Sequence, residues 1–170
     1  DSTNTVIKQL ANAGAPDGVL VVSEHQTAGR GRLGRQFYSP KEGGVYFSVL
    51  FRLSYPAEVT TLVTSAAAVA VCRAIRSICG IEAQIKWVND VYIDGKKVCG
   101  ILTEASMNFE NQTLDYVVVG IGVNVASQEY PSELQSIITA LDQHTDRHID
   151  RSLLIATIVN ELEVFCKELA

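Results

Sequence analysis

The sequence is poor in cysteine, histidine, proline and methionine. Its 170 residues include four Cys, three His, four Pro and one Met. The cysteines contain no Cys-x-x-Cys pair and lie in apolar segments, at Cys72, Cys79, Cys99 and Cys166. This spacing predicts buried, reduced thiols rather than a disulfide framework or a zinc site.

The sequence also lacks a long apolar run. A membrane-spanning helix needs ~20 such residues, whereas the longest candidate, residues 62–72, has eleven and contains Thr64 and Ser65. No basic-then-apolar leader stands at the N-terminus, which begins at Asp1. We therefore expect a cytoplasmic protein without a membrane segment. Whether other domains flank the chain stays open.

Charge is unevenly spread along the chain. The net charge is −5 and 47% of the residues are apolar, which predicts one folded domain over residues 1–170. Residues 1–100 have a balance of +3 and residues 101–170 a balance of −8. The acidic total argues against a nucleic-acid-binding domain, and the basic first part allows a site for a small anion.

The pattern of apolar residues predicts an α+β fold. Ser2, Thr3 and Asn4 precede a helical period that ends near Gly14, which indicates a capped first helix. Further helices are predicted from Pro56 to residue 78 and over 152–169. A tight turn at Asp94-Gly95 predicts a hairpin. Strands are expected at 18–23, 45–53, 83–87, 91–93, 98–102 and 114–125.

A polar, glycine-rich segment separates the first two strands. Its centre, GRGRLG at 29–34, matches the glycine pattern of dinucleotide-binding folds, but no helix can start after Gly34 and residues 50–54 contain no acid. Glycine amides and alternate arginines are suited to wrapping a phosphate or carboxylate. A solvated basic loop is the other interpretation, and the segment alone leaves both open.

Two later segments favour the anion-binding interpretation. KWVND at 86–90 follows a predicted strand, and KVCGIL at 97–102 begins one with a lysine. A lysine in that position can also reach solvent without a functional role. Together with Arg30, Arg32 and Arg35, these lysines and the Asn-Asp pair are typical of a site for an anionic substrate and a metal nucleotide.

Six motifs in this order resemble the catalytic domain of biotin–protein ligases. They run from the first residue to about residue 124 and read DSTN (1–4), EHQTAGRGRLGR (24–35), SP (39–40), KWVND (86–90), KVCGILTE (97–104) and VVGIGVN (118–124). The resemblance implies a mixed, mostly antiparallel sheet packed against helices, similar to class II aminoacyl-tRNA synthetases.

The resemblance also implies a two-step reaction. Biotin and ATP, with Mg²⁺ as the activating ion, give biotinyl-5′-adenylate and pyrophosphate. A specific lysine of a biotin carboxyl carrier protein domain then attacks the adenylate, with no covalent enzyme intermediate and no tightly bound prosthetic group. The family resemblance allows a homodimer.

Site residues carry over by motif. The biotin site implied by the family comprises Ser2, Thr3, Asn4, Gln26, Arg30, Gly31, Arg32, Lys97 and Gly100. The ATP and adenylate site comprises Gly29, Arg30, Arg32, Phe37, Lys86, Asn89 and Asn124. Asp90 and Asn124 match the family's positions beside the magnesium ion. The expected catalytic residues are Lys97, Arg32 and Lys86.

Three departures and two alternatives accompany this assignment. Phe37 and Val88 stand where the family usually has Trp and Pro, and the family's small β-barrel after the last helix is not in this chain. Lipoate or octanoate ligation or transfer on the same fold is one alternative. A module that binds biotinyl-adenylate as a sensor, or an inactive scaffold, is the other.

Overall fold

A computed structural model describes residues 1–52, 59–108 and 113–168. The predicted helix start at Pro56 lies outside these residues. The helices are α1 (Thr3–Asn12), α2 (Val59–Cys79), α3 (Ser132–Gln135) and α4 (Arg151–Glu168). The strands are β1 (Leu20–Ser23), β2 (Gly44–Phe51), β3 (Gln84–Lys86), β4 (Asp90–Ile93), β5 (Lys96–Asn108) and β6 (Thr113–Asn124).

The strands form a single sheet in the order β1-β2-β6-β5-β4-β3. Every strand pair in this ladder is antiparallel, and a single bridge from Lys97 to Ile138 is the parallel contact found among the described residues. Helices cover both faces of the sheet. The predicted α+β class is therefore confirmed.

Side chains of the central strands alternate between two different environments. On one face, Val119 and Ile121 of β6 join the main core with residues of α2 and α4. On the other face, Val118 of β6 and Leu50 of β2 pack against Ile7 of α1 in a smaller cluster. Successive residues of a strand point to opposite faces, so even-numbered positions of β2 and β6 lie on the α1 face.

Two local signals in the sequence gave the expected structures. The Ser2 hydroxyl accepts a hydrogen bond from the Thr5 backbone N–H at 3.2 Å and caps α1. Asp94 and Gly95 have φ angles of 48° and 77°, which the tight turn between β4 and β5 requires.

Helix α2 forms the centre of the main core. By length and composition α2 could span a membrane, with a mean hydropathy of 1.6, and it is the one such helix among the described residues. Its alanines at 67, 68, 70 and 74 are fully buried within that core. Small side chains let the helix approach the sheet and α4 closely, so its apolar character is explained by packing.

We predict that Leu162→Ala in α4 lowers the free energy of unfolding by about 2–5 kcal/mol, because its fully buried side chain leaves a cavity in the main core. Leu153→Ala on the same helix is the control, since Leu153 is 53% exposed and should cost less than about 0.5 kcal/mol. Urea unfolding of both variants measures the difference. Equal losses would contradict the packing of α4.

Candidate active site

A cavity of about 240 Å³ lies on the α1 face of the sheet. Twelve of the fifteen site residues predicted from the sequence line it, drawn from α1, the glycine-arginine segment, β4 and β5. They are Ser2, Thr3, Asn4, Gln26, Arg30, Gly31, Arg32, Phe37, Asn89, Asp90, Lys97 and Gly100.

The floor of the cavity consists of glycines on neighbouring strands. Gly100 of β5 pairs with Gly122 of β6, and Gly120 pairs with Leu102. A Cβ at Gly122 would lie 2.4 Å from the Phe37 ring, and one at Gly120 would lie 1.9 Å from Asn4 Oδ1. Glycine at positions 120 and 122 therefore allows the side chains of Asn4 and Phe37 to contact the strand backbone directly.

At the α1 end of the cavity, the Asn4 side chain is held by three hydrogen-bonding groups. Its Nδ2 donates to the Leu102 carbonyl at 3.2 Å and to Glu104 Oε2 at 2.9 Å. Its Oδ1 accepts from the fully buried Ser48 hydroxyl at 2.6 Å. The neighbouring Thr3 N–H donates to Gln26 Oε1 at 2.9 Å. These bonds fix the orientation of the polar groups that face the cavity.

Glu104 joins three parts of the chain behind the cavity wall. Besides Asn4, its carboxylate accepts from Lys8 of α1 at 2.8 Å and from Arg30 at 3.0 Å. Partial burial raises the pKa of this carboxyl, but the hydrogen bonds from Lys8 and Asn4 and the charges of Lys8 and Arg30 outweigh it. The net effect is a pKa below the ordinary value.

The glycine-arginine segment is an ordered miniature hairpin. The Gly31 N–H donates to the Arg35 carbonyl at 2.8 Å, and the Phe37 N–H donates to the Gly29 carbonyl at 3.0 Å. Leu33 at its tip is 90% exposed. Arg30 contacts Glu104, and Arg32 donates to Asn89 Oδ1 at 3.1 Å. Both guanidinium groups are therefore exposed but each is held by a hydrogen bond beside the cavity.

Lys97 reaches the cavity because of an irregularity in β5. Val91 pairs with Cys99 but Tyr92 pairs with Lys97, so Val98 is an extra residue on β5. A bulge of this kind re-aims the next side chain, and Lys97 shares the cavity with Gly100. The Lys97 Nζ lies 2.7 Å from the Asp90 carboxylate and 5.8 Å from the centre of the Phe37 ring.

A second, larger cavity of about 970 Å³ adjoins the first. Gln26, Phe37, Asp90 and Lys97 line both. Two more predicted residues, Gly29 and Asn124, lie here. The side-chain amide of Asn124 donates to the Thr139 carbonyl at 3.1 Å, which fixes it at the wall.

Lys86 lies outside both cavities. Its Nζ lies 4.8 Å above the Tyr92 ring and 3.2 Å from the Tyr92 hydroxyl, on edge strand β3. The peptide bond between Trp87 and Val88 is cis. Asn89 and Asp90 then bring the chain back to the cavity.

The two residues predicted for the magnesium side share the second cavity but offer a single carboxylate, that of Asp90. The part of the chain that the structure describes has no group of three His, Cys, Asp or Glu side chains able to hold a metal. Mg²⁺ commonly binds through one or two carboxylates plus substrate phosphates. The residues present therefore fit a magnesium ion carried by a nucleotide, not one caged by protein.

The thiol nearest to the site is inert. Cys99 lies on β5 and is completely buried, and this burial raises the pKa of its thiol well above the usual range. Thiols act as nucleophiles in the thiolate form. Cys99 is thus a core residue, as its apolar surroundings in the sequence indicate.

Sequence reasoning missed four residues that shape the site, namely Ser48, Glu104, Gly120 and Gly122. The glycines were visible as a period-two pattern in VVGIGVN, which places both on one strand face. Ser48 and Glu104 are single polar residues in strands, 44 and 100 positions from Asn4. No local signal indicates such partners.

Known proteins resemble this chain over most of its length. The model of the Biotin/lipoate A/B protein ligase family matches residues 1–124. The Bifunctional ligase/repressor BirA of Bacillus subtilis is 44% identical over 160 residues, which cover 93% of this chain and 49% of that protein. The Biotin--[acetyl-CoA-carboxylase] ligase of Mycobacterium tuberculosis is 34% identical over 167 residues, covering 95% and 59%.

Solved structures share the fold. The biotin protein ligase from Aquifex aeolicus, in complex with biotin and ATP, has a TM-score of 0.83 and 33% identity, with 99% of this chain and 68% of that one covered. The chain spans about half the length of the bacterial ligase/repressors it matches.

We predict that Glu104→Gln destabilises the protein at neutral pH but not in acid. The folded-state pKa of Glu104 is lowered, so its stabilising effect is present above the unfolded pKa of about 4.3 and fades as the pH falls through the folded value. A melting temperature about 2–4 °C below wild type at pH 7, equivalent to ~1 kcal/mol, should converge with wild type near pH 3. A difference independent of pH would contradict the charge pairing.

Proposed function

The chain belongs to the biotin/lipoate A/B protein ligase family, and we propose that it activates biotin with ATP and passes it to a protein lysine. Biotin and MgATP would form biotinyl-5′-adenylate and pyrophosphate. The ε-amine of a lysine on a biotin carboxyl carrier protein domain would then displace AMP and form an amide bond.

The observation that carries this proposal is the junction of the two cavities at Lys97. Lys97 lines both of them, beside Phe37 and Asp90. A reaction that joins two anions needs a cation at the point where they meet. The smaller cavity has polar groups at one end and Lys97 at the other, which suits a ligand with a polar head and a carboxylate tail.

We propose one orientation for biotin in the smaller cavity. Its ureido head would lie at Thr3, Asn4 and Gln26, and its carboxylate would lie at Lys97. ATP would occupy the larger cavity, with its α-phosphate near Lys97 and Asp90 and its base toward Asn124. The Phe37 ring, which lies between the cavities, offers an aromatic surface for the base.

The first step brings a carboxylate to the α-phosphorus of ATP. Negative charge accumulates on the phosphate oxygens as the new O–P bond forms and pyrophosphate leaves. Fixed cations aimed at that charge lower the barrier. Lys97 and Arg32 supply them from the protein, and Mg²⁺ bound to the nucleotide would neutralise further charge beside Asp90.

The second step requires an acceptor amine in its neutral form. The amine attacks the carbonyl of the mixed anhydride, the C–O bond to AMP breaks, and the amine loses a proton. AMP is a good leaving group, so the protein chiefly positions the two reactants. The inert Cys99 agrees with a route that forms no covalent enzyme intermediate.

The direct test incubates the chain with radiolabelled biotin, MgATP and a purified carrier domain. The Bacillus subtilis relative serves as positive control. Labelled carrier supports the ligase. Labelled adenylate without transfer supports a sensor that binds biotinyl-adenylate, and labelling from octanoate or lipoate but not biotin would replace biotin as the substrate. No product from any acid would overturn the proposal.

Lys97→Gln should reduce the rate of adenylate formation at least about a hundredfold, because the cation at the cavity junction is lost. Lys96→Gln is the matched control. Lys96 is exposed and its Nζ lies 3.5 Å from the Gln135 carbonyl, so the rate should stay within about twofold. Single-turnover assays with labelled biotin measure both. Equal rates in the two variants would show that the carboxylate lies elsewhere.

Arg32→Ala should accelerate adenylate release while leaving the fold intact. The side chain makes one exposed hydrogen bond, to Asn89, so stability should change by less than about 0.5 kcal/mol. Loss of a charged contact to phosphate should weaken binding by about 1.5–3 kcal/mol. Release of labelled adenylate and the melting temperature are measured together. Unchanged release, or a large drop in melting temperature, contradicts this role.

A further inference from the structure

The orientation of the Asn4 side-chain amide is determined by its hydrogen-bond partners. Both hydrogens of Nδ2 are used, one on the Leu102 carbonyl and one on the Glu104 carboxylate. Neither partner can donate a hydrogen bond, so the nitrogen must face them. The carbonyl end of the amide is then turned toward the Ser48 hydroxyl, which donates to Oδ1.

With both Nδ2 hydrogens in use, Asn4 can offer a ligand only a hydrogen-bond acceptor, Oδ1. Asn4 and Gly120 both line the smaller cavity, and Oδ1 lies so close to Gly120 that a Cβ there would come within 1.9 Å of it. Oδ1 keeps one lone pair beyond the bond from Ser48. A ligand group at this end of the cavity is therefore recognised if it carries an N–H or O–H donor.

We infer that Glu104, assisted by Ser48, is a positioning residue that makes this end of the cavity select a ring bearing an N–H group. Glu104 does not line the cavity. It acts through Asn4, by occupying the amide hydrogens and so presenting Oδ1 to the ligand. The same carboxylate also bonds to Lys8 and Arg30.

The inference rests on the proposed function and sharpens its substrate class. A cyclic urea has two N–H donors and satisfies the Asn4 oxygen. An octanoyl chain or a dithiolane ring has no donor, and burying Oδ1 against it would leave its second lone pair, the one not used by Ser48, without a hydrogen bond, which is unfavourable. The same amide thus favours biotin and disfavours the other acids that proteins of this fold activate.

Calorimetric titration of biotin and of ATP into four proteins tests the inference. The proteins are wild type, Glu104→Ala, Glu104→Gln and Lys8→Ala. Glu104→Ala should weaken biotin binding at least about fivefold, because Asn4 loses an acceptor that fixes its amide. Glu104→Gln should restore most of the affinity, since its side-chain oxygen still accepts from Nδ2. Lys8→Ala removes a different bond of the same carboxylate and should change biotin affinity less than about twofold.

ATP affinity distinguishes a specific effect on biotin binding from a general loss of structure. It should stay within about twofold of wild type in all variants. Ser48→Ala, which removes the donor to Oδ1, repeats the test if Glu104→Ala does not fold. Parallel loss of biotin and ATP affinity would overturn the inference, as would equal effects of Glu104→Ala and Lys8→Ala or no rescue by Gln. A wild-type protein that binds ATP but not biotin would overturn the proposed function itself.

Discussion

The alternation of side chains across β2, β5 and β6 is the constraint on which the rest of the structure depends. One face of these strands is apolar and closes on α2 and α4. The other carries small and polar residues, including Ser48, Gly100, Gly120 and Gly122, beneath α1 and the glycine-arginine hairpin. A side chain larger than glycine at Gly120 or Gly122 would displace Asn4 or Phe37. The main core on one face stabilises the sheet, so the other face can hold a polar cavity.

The hollow face is kept rigid by hydrogen bonds between distant parts of the chain. Asn4 bonds to β2 and to β5, Thr3 bonds to Gln26, and Gln26 Nε2 donates to Ser39 Oγ at 2.8 Å. Groups held in this way lose little freedom when a ligand arrives, which favours tight and selective binding. The cations Arg32 and Lys97 are held less by packing than by their partners Asn89 and Asp90, and a phosphate can replace those contacts.

Local signals predicted the elements, and motif resemblance predicted residues of which most line the two cavities. The cap at Ser2 and the turn at Asp94-Gly95 are decided by neighbours in the chain, so they were readable from the sequence. The side on which Lys97 emerges was not, because it depends on the extra residue Val98, which shifts the pairing with β4. Glu104 was also missed, since its role arises from contacts with Asn4, Lys8 and Arg30 that only the folded chain brings together. Lys86 matched a motif, yet its contacts are with Tyr92 on the sheet edge.

The central claim is that the two cavities hold biotin and ATP with the reacting groups meeting at Lys97. A crystal structure of the protein with biotin and a non-hydrolysable ATP analogue tests it most directly. The account predicts the biotin carboxylate within hydrogen-bonding distance of Lys97 Nζ, the ureido ring at Asn4 and Gly120, and the α-phosphate on the other side of the same ammonium group. A biotin molecule bound with its ring at Lys97 and its carboxylate at Asn4, or a nucleotide bound outside the larger cavity, would contradict it.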